Sequence, residues 1–209
     1  MAEADLWPVI HEERKALAAD LGGLSDEQWA LRSLCRDWSV RDTLAHVAAT
    51  AKITPPLFFV KMIGSGFSLT RLQNKDIAVE TGQSPADTLA RFEAQIPSEK
   101  HPPGPADMML GETIVHGEDI RRPLGIRHAY PAAAVARAAD FYSGSNLIIG
   151  GKNRVAGLTL KATDTNWSHG QGPEVSGPIL ALLLAITGRK LAAGELAGQG
   201  ARTLRVRAR

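Results

Sequence analysis

Glu112 and His116 stand four residues apart in the chain. On a helix that spacing stacks the two side chains one turn apart on one face, which lets a single helix offer two ligands to a metal ion. Met108, Val115 and Asp119 share the stripe, so the face is partly apolar. A carboxylate and an imidazole turned toward a core need a partner, because an unpaired buried charge is costly; a divalent cation supplies one. His46 lies in a second predicted helix among Ala45, Val47, Ala48 and Ala49, small neighbours that leave room for another helix and its ligands. His46, Glu112 and His116 together make a His, Glu, His set. Three protein ligands with an open fourth position is the pattern of catalytic zinc, and a mixed nitrogen and oxygen set also accepts other divalent metals. Asp119, one turn beyond His116, is placed to orient that ring from behind. Spacing makes the triad available without showing that the two helices face each other. A hydrogen-bonded core histidine accounts for His46 as well.

The elements that must position these residues are marked by local signals. Residues 3–21 read as a helix from the recurrence of Leu6, Ile10, Leu17 and Leu21, ended by Gly22 and Gly23. Ser25 with Gln28 forms a capping-box pattern for a short helix through Ala30. Ser39, with Asp42 in the first turn, opens the helix that carries His46 to about Ile53, where Pro55 and Pro56 close it. Residues 57–64 suit a short helix before a Gly-Ser-Gly break. Ser84, Pro85 and Asp87 open another, bearing Leu89, Phe92 and Ile96. A proline-rich loop over 97–105 leads to the helix of Glu112 and His116, which Pro123 to Gly125 stops. Residues 132–149 have the composition of a long helix.

Beyond Gly151 the pattern changes. Residues 155–161 and 174–176 suit strands, 164–173 a hairpin connection and 178–187 an apolar helix; Leu204 and Val206, alternating with basic residues over 203–207, suit a final strand. The expected fold is mainly α: an up-down helical bundle over 1–150, then a small α/β appendage (an α+β domain) over 151–209.

Bulk properties bound the partners. A hydrophobic fraction of 44% supports a core, and 24 basic against 22 acidic residues, net +2, gives no field for nucleic acid. The longest apolar run, 178–187, is too short to span a bilayer, and the first residues, with Glu3 and Asp5, carry no signal-peptide pattern. One cysteine, Cys35, excludes an intrachain disulfide and suits a reducing compartment. These features lead us to expect a soluble cytoplasmic protein without nucleic-acid or membrane partners, monomeric or homodimeric.

Two motifs carry a family resemblance. The segment Asp37-Trp38-Ser39-Val40-Arg41-Asp42-Thr43-Leu44-Ala45-His46 resembles the first signature of the mycothiol-dependent maleylpyruvate isomerase family, within the DinB-like superfamily. Glu112 and the stretch His116-Gly117-Glu118-Asp119-Ile120-Arg121-Arg122-Pro123-Leu124-Gly125 are similar to its second. The likeness covers residues 1 to about 150, and Leu158-Thr159-Leu160, the 172–178 segment and the stretch from Leu182 to Arg189 extend it more weakly. The resemblance implies a metal-binding four-helix bundle with His46, Glu112 and His116 on the ligand positions. It also implies zinc or another divalent metal, and mycothiol or a similar thiol as cosubstrate, for an isomerase or thiol S-transferase acting on a small electrophile. The triad alone also fits a DinB-like metal hydrolase that uses no thiol, and a non-enzymatic binding or regulatory protein keeping the bundle is the third reading.

Arg189, after the apolar helix, is a candidate catalytic residue that pairs with a substrate carboxylate; a solvated arginine at a helix end fits the same pattern. Arg121 and Arg122 read as structural cations at a helix C-terminus, Cys35 as core filling beside Trp38, and His169 as an exposed loop residue. Arg202, Arg205, Arg207 and Arg209 read as the solvated face of a strand.

Overall fold

A computed structural model of the protein describes residues 6–35, 37–147, 149–190 and 194–208. Residues 3–5 of the first expected helix, and Arg209, lie outside them. The chain divides into two compact units between Ala129 and Tyr130.

The first unit holds α1 (Leu6–Leu21), α2 (Asp26–Ala30), α3 (Val40–Thr50), α4 (Pro55–Gly64), α5 (Leu69–Glu80), α6 (Pro85–Glu93) and α7 (Asp107–Arg121). Four of them close a ring of packed neighbours: α1 on α7, α7 on α3, α3 on α6 and α6 on α1. This is the expected bundle. Its apolar centre joins Leu17 and Leu21 of α1, Trp29 of α2, Val40, Leu44 and Val47 of α3, Phe92 of α6 and Ile120 of α7. The small residues of α3, Ala45, Ala48 and Ala49, are all buried, so neighbouring helices approach its backbone closely.

The caps read from sequence form as expected. Ser25 and Gln28 make a capping box at α2. At α3 the Ser39 Oγ accepts from Asp42 N at 3.1 Å, and Asp42 Oδ2 accepts from Ser39 N at 3.0 Å. Ser84 caps α6. The α5 helix fills a region in which the residue pattern marks no clear element. Its inward stripe is only Leu72, Asp76, Ile77 and Glu80, too polar to announce a helix by hydrophobic period.

The second unit contains α8 (Ala132–Gly144), α9 (Gly151–Val155), β1 (Thr159–Ala162), β2 (Ser168–Gly170), β3 (Glu174–Gly177), α10 (Ile179–Ile186) and α11 (Ala201–Arg207). The sheet order is β2-β1-β3, with β1 antiparallel to β2 and parallel to β3. The apolar α10 packs on α8, α9, β1 and β3. Three expectations are corrected here. The long helix over 132–149 stops at Gly144, because Ser145 is extended and Asn146 folds back on Asn153, accepting from its backbone N–H at 2.9 Å. His169 lies in β2 opposite Leu160, stacked on Trp167, and is not a loop residue. The final strand is a helix: Ala201, Leu204 and Ala208 are buried at helical spacing while Val206 is exposed, so the Leu204/Val206 alternation does not mark a sheet face. Among the described residues no helix is long and apolar enough to cross a membrane.

The reciprocal cap at Ser39 fixes where α3 begins, and so the turn on which His46 sits. Ser39→Ala is expected to lower stability by about 1 kcal/mol, read as a shifted urea midpoint at unchanged slope; an unchanged midpoint would show that packing alone holds this terminus.

Candidate functional site

The packed faces of α3 and α7 carry the predicted triad. His46, from the middle of α3, has Nε2 3.8 Å from Glu112 Oε1. Its ring centroid lies 5.1 Å from that of His116, edge to face. The structure therefore brings His46, Glu112 and His116 together. Trp38, just ahead of the α3 cap, lies against both imidazoles, with centroids 4.7 Å from His46 and 6.2 Å from His116.

Behind His116 sits a second layer. Asp119, one turn on and fully buried, places Oδ2 2.9 Å from His116 Nδ1. Sequence spacing anticipated this contact. With Nδ1 engaged by a carboxylate, Nε2 is the nitrogen left for a further ligand. The unanticipated member is Cys35. Its thiol donates to Asp119 Oδ2 at 3.1 Å and lies 3.5 Å from His116 Nδ1. The loop before α3 delivers it: Ser33 N donates to Trp38 O, Trp38 N to Cys35 O and Val40 N to Leu31 O, while Leu34 N donates to Asp119 O at 3.0 Å. That last bond ties the loop directly to α7. Cys35 is therefore part of the polar cluster and not simple core filling. Nothing local in the sequence marks it, because its partners lie more than eighty residues away.

Burial separates the ionisation of these groups. Desolvation, reinforced by the neighbouring His116 and opposed by Asp119, lowers His46 to about 3, leaving a neutral imidazole. Burial also acts to lower His116, but Cys35 and Asp119 outweigh it and raise the group to about 10. Glu112 is raised by desolvation, against the opposing pull of His116, a hydrogen bond from Thr50 and the charge of Arg14. Its Oε1 is buried and accepts no hydrogen bond. A buried acceptor left this way is destabilising unless something else meets it.

Two donor groupings result. One is His46, Glu112 and His116 through the face opposite Asp119. The other is Cys35, His116 and Asp119, whose ligand atoms all lie within 4.8 Å of one another. In the second the His116 nitrogen involved is the one Asp119 already engages; in the first Asp119 is free to act as the orienting carboxylate.

The remaining candidates fall elsewhere. Arg189, in the second unit, follows α10, and its Nη1 donates to Thr187 O at 3.0 Å. Arg121 pairs with Asp20 at 2.7 Å and Arg122 with Glu118 at 2.8 Å, both structural ion pairs.

The fold and the site define a helical bundle in which two packed helices and the loop before one of them hold a cluster of buried and half-buried imidazole, carboxylate and thiol groups. Residues 10–101, which include the helix of His46, match the family described as the mycothiol maleylpyruvate isomerase N-terminal domain. Two solved structures share the fold over most of their length. One is a mycothiol-dependent maleylpyruvate isomerase, 12% identical at a TM-score of 0.63. The other is a histidine-to-alanine mutant of such an enzyme, 13% identical at 0.63. Each match covers 96% of this chain and 94% of the other. No curated protein matches the chain. The family resemblance is thereby borne out over residues 10–101, which hold the first motif, and the fold over nearly the whole chain.

Asp119, itself fully buried, holds two half-buried partners at once. Asp119→Ala is expected to destabilise the protein by roughly 1–3 kcal/mol or more, since His116 and Cys35 lose a charged acceptor inside the core. Thermal denaturation beside Cys35→Ala checks this; an Asp119→Ala melting temperature equal to wild type would show that the network contributes nothing to folding.

Proposed function

We propose that the protein is a metal-dependent enzyme that uses a low-molecular-weight thiol of mycothiol type. The reaction is isomerisation of a small electrophilic substrate or transfer of the thiol onto it. The observation that carries this reading is the meeting of His46, Glu112 and His116 between α3 and α7. The donor set suits a divalent ion of borderline hardness, zinc first. The buried Glu112 Oε1 without a hydrogen bond is the kind of atom a cation would satisfy. His46, Glu112 and His116 would hold the ion, which when bound lowers the pKa of a coordinated thiol and so supplies a thiolate nucleophile.

The chain's own residues do the rest. His46 stays neutral and keeps a lone pair available. Asp119 holds the His116 ring in one orientation. Trp38 covers both imidazoles with an apolar wall, limiting the water that would compete with a thiol. Arg189 is the proposed catalytic residue of the second unit, its guanidinium suited to a substrate carboxylate. A cytoplasmic setting fits a thiol cosubstrate and a chain with one cysteine. The support from relatives is the N-terminal domain match and the shared fold.

Cobalt substitution tests the reading without a substrate. Adding mycothiol to cobalt-loaded protein is expected to raise a thiolate-to-metal charge-transfer band. The band should persist in Cys35→Ser and vanish in the His46→Ala, His116→Ala double variant. No band on adding thiol would contradict the proposal. A band already present before thiol and abolished by Cys35→Ser would contradict it too, and assign the metal to Cys35, His116 and Asp119.

A further inference from the structure

Arg14 is an arginine at a core position. It follows Leu6 and Ile10 and precedes Leu17 and Leu21 on the inward stripe of α1, and it is completely buried. Its guanidinium is half used. Nη1 donates to the carbonyls of Ser98 at 2.7 Å, Gln95 at 3.1 Å and Ile96 at 3.5 Å, closing the chain after α6. Nε and Nη2 are buried and donate to nothing. Those two atoms are the parallel pair by which a guanidinium grips a carboxylate side-on. The unused edge is therefore a complete fork, held rigid by the three carbonyl bonds on the other side.

A second buried donor lies one turn away on α1. His11, one turn earlier on the same face of α1, has its Nε2 buried and likewise unpaired. The carboxylate nearest in sequence, Glu13, is committed to His128 at 2.7 Å. Glu112 acts on Arg14 through its charge but makes no hydrogen bond to the fork. The half-buried rings of Trp7, His11 and His101 follow one another, Trp7 being 6.2 Å from His11 and 6.0 Å from His101. A buried cation with two idle donors is costly to maintain, and a lone structural arginine needs only the carbonyl side.

We propose that the Nε and Nη2 edge of Arg14, with His11 beside it, is a receptor for a carboxylate group of a small-molecule ligand, built into α1 of the bundle. The ligand is an oxyanion with two parallel acceptor oxygens, which the fork fits and a halide does not. His11 donates to a further oxygen. The subsite belongs to the first unit alone and does not depend on a bound metal.

The test is calorimetric titration of the full-length protein with succinate, against sodium chloride at equal ionic strength, before and after treatment with a chelator. Succinate is expected to bind with the same affinity in both preparations and chloride to have no effect. Arg14→Lys keeps a cation for the carbonyls but loses the fork, and should weaken succinate binding about tenfold or more. Should that variant fold poorly, His11→Ala leaves the carbonyl bonds intact and should weaken binding several-fold. Unchanged affinity in the folded variant overturns the proposal. So does succinate binding that disappears with the metal, which would place the carboxylate on the ion. Succinate binding to a protein that takes up no zinc when zinc is supplied would count against the proposed metal chemistry and leave this subsite standing.

Discussion

The packing of α3 against α7 is the constraint on which the rest of this structure depends. It brings two imidazoles and a carboxylate together and largely away from water between two packed helices. Desolvation penalises each charged form, so the three groups are stable there only with compensation. Asp119 and Cys35 compensate His116 from behind. Thr50 and Arg14 compensate part of the Glu112 charge, and one carboxylate oxygen is left unsatisfied. The thiol and carboxylate behind His116 answer its charge, while the other side of the cluster carries a Glu112 oxygen that no hydrogen bond meets among the described residues.

The surrounding bundle serves that packing. Small residues along α3 let α6 and α7 approach, the Ser39 and Asp42 cap fixes where the helix starts, and the loop before it brings both Trp38 and Cys35 to His116. The bond from Leu34 N to Asp119 O locks that loop to α7. Functional side chains on rigid helices, with their supports fixed by hydrogen bonds, are held more closely than a loop-borne site would be.

Much of this was legible in the sequence because it is local. Ser25, Ser39 and Ser84 announce their helices through side-chain caps that need no tertiary context, and the four-residue step from Glu112 to His116 fixes a shared face. The α5 helix was obscured by the charged residues on its inward stripe. The last helix was misread because two alternating apolar residues satisfy a strand pattern as readily as a helical one, and only the burial of Ala201 and Ala208 decides between them. Cys35 and Arg14 were beyond local reading. Each acquires its meaning from partners more than eighty residues away, on another helix or on the chain after α6.

The proposed chemistry requires His46, Glu112 and His116 to hold one metal ion. Elemental mass spectrometry of the purified, zinc-supplied protein tests it most directly, with His46→Ala and Cys35→Ser alongside. About one zinc per chain is expected in wild type and in Cys35→Ser, and none in His46→Ala. No metal in the wild type, or metal retained in His46→Ala and lost in Cys35→Ser, would contradict it.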